Sequence, residues 1–144
     1  MIARRTPALL AGALLLTAAA PEPASPWFGT WKLRLADPKE RPETLVYSDA
    51  GNGAMRMVSV EDRSELVTRF DGKPAADTGA GATGRNALAI TATSRTSYRW
   101  IFLKDGKPFV AGRNAIAADG RSFTEVSWRV ETPGETRTFV YDRQ

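Results

Sequence analysis

From Trp27 onward, apolar and polar residues alternate with period two in short runs separated by turns bearing Gly, Asp and Asn. Residues i and i+2 share one face of a β-strand, so this is the pattern of an antiparallel all-β domain. In the first run Trp31, Leu33 and Leu35 share a face, with Lys32 and Arg34 on the other. Leu45 and Tyr47 pair in the same way over residues 44–48, and Met55 and Met57 do so after the turn Asp49-Ala50-Gly51-Asn52-Gly53. Tyr98, Trp100 and Phe102 alternate with Arg99, Ile101 and Leu103, which predicts a strand buried on both faces for part of its length. Val126, Trp128 and Val130 alternate with Glu125, Ser127 and Arg129, so the apolar set is expected to face the core and the acids to face out. In the last run Arg137, Phe139 and Tyr141 line one face.

Residues 59–70 fit two patterns. Ser59-Val60-Glu61-Asp62 has the form of a helical capping box, but a turn followed by a strand puts Leu66, Thr68 and Phe70 on one side. The strand is the preferred reading. Asp71-Gly72-Lys73-Pro74 recurs as Asp105-Gly106-Lys107-Pro108, and both are expected to be hairpin turns. Residues 75–85 form the longest irregular segment and are expected to be a flexible loop. Within it, Gly79-Ala80-Gly81-Ala82-Thr83-Gly84 spells G-x-G-x-x-G, but a dinucleotide site needs a strand before it and a helix after it. Here a Pro- and Asp-bearing loop precedes it and strand-like residues follow.

These runs amount to nine candidate strands, or eight with a helix at 59–70. A closed meander needs an even number, so one strand or boundary is unaccounted for. The connections are mainly tight turns, which favours an antiparallel up-and-down β-barrel of about eight to ten strands over a Greek-key sandwich.

Residues 1–20 depart from this pattern. Arg4-Arg5, the apolar stretch Ala8 to Leu16 and the small residues Thr17 to Ala20 read as a secretory signal peptide. The apolar stretch is too short for a spanning helix, which needs roughly 20 residues. Residues 21–26, with three prolines, read as an extended spacer, and residues 27–144 as a single barrel domain. The expected location is the periplasm or outside the cell, reached by a Sec-type signal in preference to the twin-arginine route. Removing residues 1–20 leaves 18 basic residues against 16 acidic ones, too even a balance to argue for nucleic acid. Stable membrane insertion is not expected.

The chain has no His and no Cys. Thiolate nucleophiles, histidine triads and most zinc sites are therefore excluded, and no metal or cofactor is expected. No recognisable catalytic motif is present, so the chain does not read as an enzyme.

Phe28-Gly29-Thr30-Trp31-Lys32-Leu33 and Thr136-Arg137-Thr138-Phe139-Val140-Tyr141 resemble the first and last strands of the calycin superfamily, which includes lipocalins, fatty-acid-binding proteins and avidins. The resemblance implies a lipocalin-like meander barrel that carries a small hydrophobic molecule. Some features depart from it. No room exists for the helical lid of fatty-acid-binding proteins, the lipocalin disulfide is absent, and Phe139 stands where an arginine-x-tyrosine pair would put tyrosine. Tyr141 lies one step further along the same face.

Two classes of function fit: a carrier of an apolar or carboxylate-bearing molecule, and a filled barrel with a structural or partner-binding role. Gly29 and Trp31 are the candidate barrel-closing residues, with Arg143 or Arg137 expected to reach the Trp31 indole. Trp100 and Trp128 are expected to face inward beside Tyr98 and Phe102, either lining a pocket or filling it. Period-two geometry turns Arg137 to the same side as Phe139 and Tyr141. A guanidinium inside a barrel must be paired, and with Glu125 and Glu131 read as outward its expected partner is a ligand carboxylate, with Tyr141 as second donor. The alternative is that Arg137 sits half-solvated at the barrel rim.

Overall fold

The computed structural model describes residues 24–144. The expected signal peptide, residues 1–20, and residues 21–23 of the expected spacer lie outside the described residues. The remainder is one antiparallel sheet of ten strands: β1 Gly29–Leu33, β2 Thr44–Gly51, β3 Ala54–Ser59, β4 Ser64–Thr68, β5 Asp71–Ala76, β6 Ala87–Ser94, β7 Ser97–Lys104, β8 Lys107–Ile116, β9 Ser122–Arg129 and β10 Thr136–Arg143. Each strand pairs with its sequence neighbours except at one place, and β1 pairs with β10. The sheet thus curls into a nearly closed meander barrel whose seam lies between β4 and β5.

The tenth strand comes from Asp71-Gly72-Lys73-Pro74, which is not a hairpin turn. It opens β5, and the chain reverses instead at Phe70, whose φ is 58°. Gly72 takes a φ of 78°, and the β5–β6 register slips between Asp71 and Pro74. Pro74 fits there because it needs no ladder donor at an irregular edge. The second copy does turn, at Asp105 and Gly106, both with positive φ. Residues 59–70 contain no helix: a turn at 60–63 leads into β4, with Leu66 and Thr68 buried.

The Gly-rich segment after β5 is not a free loop. Thr78 and Gly81 donate backbone hydrogen bonds to the carbonyls of Glu65 and Arg63 at 2.7 and 2.8 Å. The Asp77 carboxylate accepts from the backbone N–H of Glu65 and of Gly79, both at 2.9 Å. Side chains at Gly79 and Gly81 would collide with the backbone of residues 62–65. The glycines let this segment lie against β4 and cover an edge that β5 leaves unpaired.

One end of the barrel holds an aromatic cluster. Trp31 and Phe123 are fully buried, and Trp27 from the spacer side packs against both and against Tyr98, 4.6 Å away between ring centroids. Phe123 stacks on Tyr141 at 4.6 Å and 12°. Trp31 donates its indole N–H to the Trp27 carbonyl at 2.9 Å, and its ring lies under the Arg143 guanidinium. Gly29, at a φ of 135°, has no Cβ to obstruct that guanidinium: one would sit 2.9 Å from Arg143 Nη1.

Two facing expectations are corrected. On β9 it is Phe123, Glu125 and Ser127 that face in, while Val126 and Trp128 lie on the outer face. Trp128 there carries Arg113 over its ring, 5.9 Å from the centroid. On β7 the Tyr98, Trp100 and Phe102 face is the inner one, but Arg99 and Ile101 are exposed, so the strand is buried on one side only.

Candidate functional site

The inward turn of Glu125 follows from local structure. Gly120, at a φ of 70°, closes the β8–β9 hairpin and sets Ile116 opposite Phe123. Asn114 then faces Glu125 and Gly112 faces Ser127. Phe123 fixes the side: its contacts with Trp27, Trp31 and Tyr141 put it inside, and period two brings Glu125 and Ser127 with it.

These residues border an interior cavity of about 230 Å³. Leu45, Met57, Leu66 and Leu88 supply apolar wall. All three tyrosines of the chain, Tyr47, Tyr98 and Tyr141, line the cavity together with Glu43, Asn114 and Glu125. Trp100 lies across Gly112, where any side chain would overlap its indole. From there its N–H donates to Asn114 Oδ1 at 2.8 Å, and Asn114 Nδ2 donates to the Tyr98 hydroxyl at 2.9 Å. Tyr98 is in turn in hydrogen-bonding contact with Tyr47. The Tyr141 hydroxyl donates to Glu43 Oε2 at 2.7 Å.

Among the described residues, neither Glu43 nor Glu125 forms an ion pair. Burial pushes the Glu125 carboxyl up to about 7, and the neighbouring Glu43 adds to the effect, while hydrogen bonds from Asn114 and Ser127 oppose it. Glu43 is raised as well, by burial first and by Asp62 and Glu61 outside, against the Tyr141 hydroxyl and Arg41. Burial also raises all three tyrosines, so their hydroxyls stay protonated. The interior is therefore an apolar chamber with two carboxyl groups and neutral donors.

A second hollow, about 380 Å³, lies at the Trp27 end. The segment 24–28 forms one wall of it, and Met55, Phe70 and Ala92 form part of the rest.

Of the residues singled out by pattern, Trp100 and Tyr141 line the chamber, and Phe139 packs against the core without lining it. Arg137 opposes Ser127 in the register, yet lies exposed near the start of β10. Trp128 is on the outer face. An internal carboxylate was not expected, but the structure provides two. Glu43 precedes β2 and Glu125 follows Phe123, and neither stands out by hydrophobic patterning. The signal that could have found Glu125 is the hairpin register read from Gly120 together with the aromatic Phe123.

No protein-family model and no curated protein matches the sequence. In structure the chain is similar to fatty-acid-binding protein 1 of Echinococcus granulosus, with a TM-score of 0.57 and 15% identity, covering 83% of this chain and 98% of that one. At this identity the likeness is one of fold. Together with the ten-strand meander it shows an antiparallel meander barrel of the fold seen in that protein.

Proposed function

We propose that this chain is an exported calycin-like carrier that holds a small, mainly apolar molecule inside its barrel. The observation that carries this reading is the interior chamber of about 230 Å³, with leucine, methionine and aromatic walls and a few convergent polar groups. Ligand sites are typically built in this way, and small barrels use their interiors for it. The similar solved structure is titled a binding protein, and this chain has neither His nor Cys, which supports carriage over catalysis. Export rests on the charged and apolar pattern of residues 1–20.

Protein purified from its own periplasm should show a small-molecule adduct in native mass spectrometry. Trp100 borders the chamber, so apolar ligands should also shift tryptophan emission in the wild type and much less in Trp100→Phe. An adduct-free protein whose emission no apolar compound moves would instead be a filled, structural barrel. Recovery of an intact Met1 from the cytosol would remove export from the proposal.

A further inference from the structure

The chamber has an imbalance that an apolar occupant alone does not answer. Glu43 reaches it from the start of β2 and Glu125 from β9, and no Lys or Arg side chain lines it. Three arginines on the strands around the chamber are engaged elsewhere: Arg56 pairs with Glu65, Arg113 lies over Trp128, and Arg143 is held by three backbone carbonyls at the Trp27 end. Arg41, the cation that acts on Glu43, is exposed and bonded to Asp62 at 2.7 Å. A third polar group is also unanswered. Ser59 lines the same chamber, and its Oγ is buried with no hydrogen-bond partner among the described residues.

Two carboxyl groups in one low-dielectric space cannot both ionise cheaply without a positive charge. A fatty acid would add a third carboxyl group to this wall and deepen the imbalance. A protonated amine would supply the missing charge and up to three N–H donors, and Glu43, Glu125 and the Ser59 hydroxyl offer acceptors on the chamber wall. Trp100 and the tyrosines add ring surface suited to a cation and its apolar body. Resting on the carrier reading, we propose that the ligand is an apolar molecule with a protonated amine head, received between Glu43 and Glu125.

The test compares three probes of equal chain length, decylamine, decanol and decanoate, by isothermal titration calorimetry on the mature protein. At pH 8 decylamine should bind at least about tenfold tighter than decanol, a difference of about 1.4 kcal/mol, and decanoate weakest of the three. In Glu125→Gln the amine advantage should fall to about threefold or less, while decanol still binds. Wild-type protein provides a second readout that needs no variant. Decylamine affinity should rise between pH 5.5 and 8 as Glu125 gives up its proton, with decanol unchanged. The groups facing Glu125 are Glu43, Tyr47, Tyr98 and Tyr141, and the tyrosines stay neutral over this range. Decanol binding without an amine preference, or a flat decylamine pH series, would overturn the amine head and leave the carrier reading intact. Failure of all three probes to bind would overturn both.

Discussion

The Arg143 guanidinium lies 4.0 Å from the centroid of the Trp31 indole, and the two residues face each other across the β1–β10 register. The same guanidinium donates from Nε to the Gly120 carbonyl at 2.8 Å, from Nη1 to Phe28 at 2.8 Å and from Nη2 to Pro26 at 2.7 Å. One side chain thus joins the last strand, the β8–β9 turn and the segment that carries Trp27 into the barrel. The cation is not an isolated charge over a ring. It is the fastener of the closed end.

Trp31→Ala should therefore cost about 3–5 kcal/mol, the usual loss for a fully buried aromatic. Arg143→Lys keeps the charge but cannot satisfy three carbonyls from one fork, so a loss of about 1–3 kcal/mol is expected. Urea unfolding followed by tryptophan emission measures both. A Lys variant as stable as the parent would show that charge alone closes this end.

At Gly112 the prediction concerns the chamber wall. A Cβ there overlaps the Trp100 ring, so Gly112→Ala must tilt the indole into the chamber or bend β8. Either way the Trp100–Asn114 hydrogen bond is strained, and a loss of about 1–3 kcal/mol is expected. The emission spectrum should change along with stability. An unchanged spectrum and midpoint would mean the ring is freer than its packing indicates.

Glu125 gives the fold a pH dependence of definite sign. Its carboxyl is raised to about 7, so between the ordinary carboxylate range and about 7 the native state holds a proton that the unfolded chain has released. Stability from this group is thus full below that window and is lost as pH rises through it. Glu125→Gln should reduce the slope to the share left by Glu43, whose carboxyl is raised as well, and raise stability at pH 8 by about 1–3 kcal/mol, a figure reduced for the residue's partial exposure. Chemical denaturation at pH 5, 6, 7 and 8 reads it. A parent whose stability does not fall across that series would mean the carboxyl is solvated.

The seam between β4 and β5 is tested at Gly79 and Gly81. Alanine at either position meets the backbone of residues 62–65 and should push the loop off the β4 edge, costing about 1–3 kcal/mol. Hydrogen exchange should then speed up at Thr78 and Gly81, whose amides bond across the gap. Slow exchange at both amides in Gly81→Ala would show that the loop does not hold the seam.

Much of this protein is determined by its sequence alone. The two-residue alternation made the chain an antiparallel meander, because side-chain period is a local property of the strand. Tight Gly-bearing turns at 51–53, 105–106 and 120 set three of the hairpins, because positive φ is also local. The Trp31 and Arg143 closure was legible because an antiparallel last strand must bring its end beside the first strand's beginning.

What only the tertiary structure decided was which face of β9 looks inward, and with it the chemistry of the chamber. Counting apolar residues placed Val126 and Trp128 inside. The aromatic cluster of Trp27, Trp31 and Tyr141 captured Phe123 instead, and the fixed period then carried Glu125 in with it. Strand β5 escaped for a related reason. Its Asp-Gly-Lys-Pro opening is locally turn-like, and pairing with β6 makes it a strand. Period is set within a few residues, but the direction a face points is set by partners far along the chain.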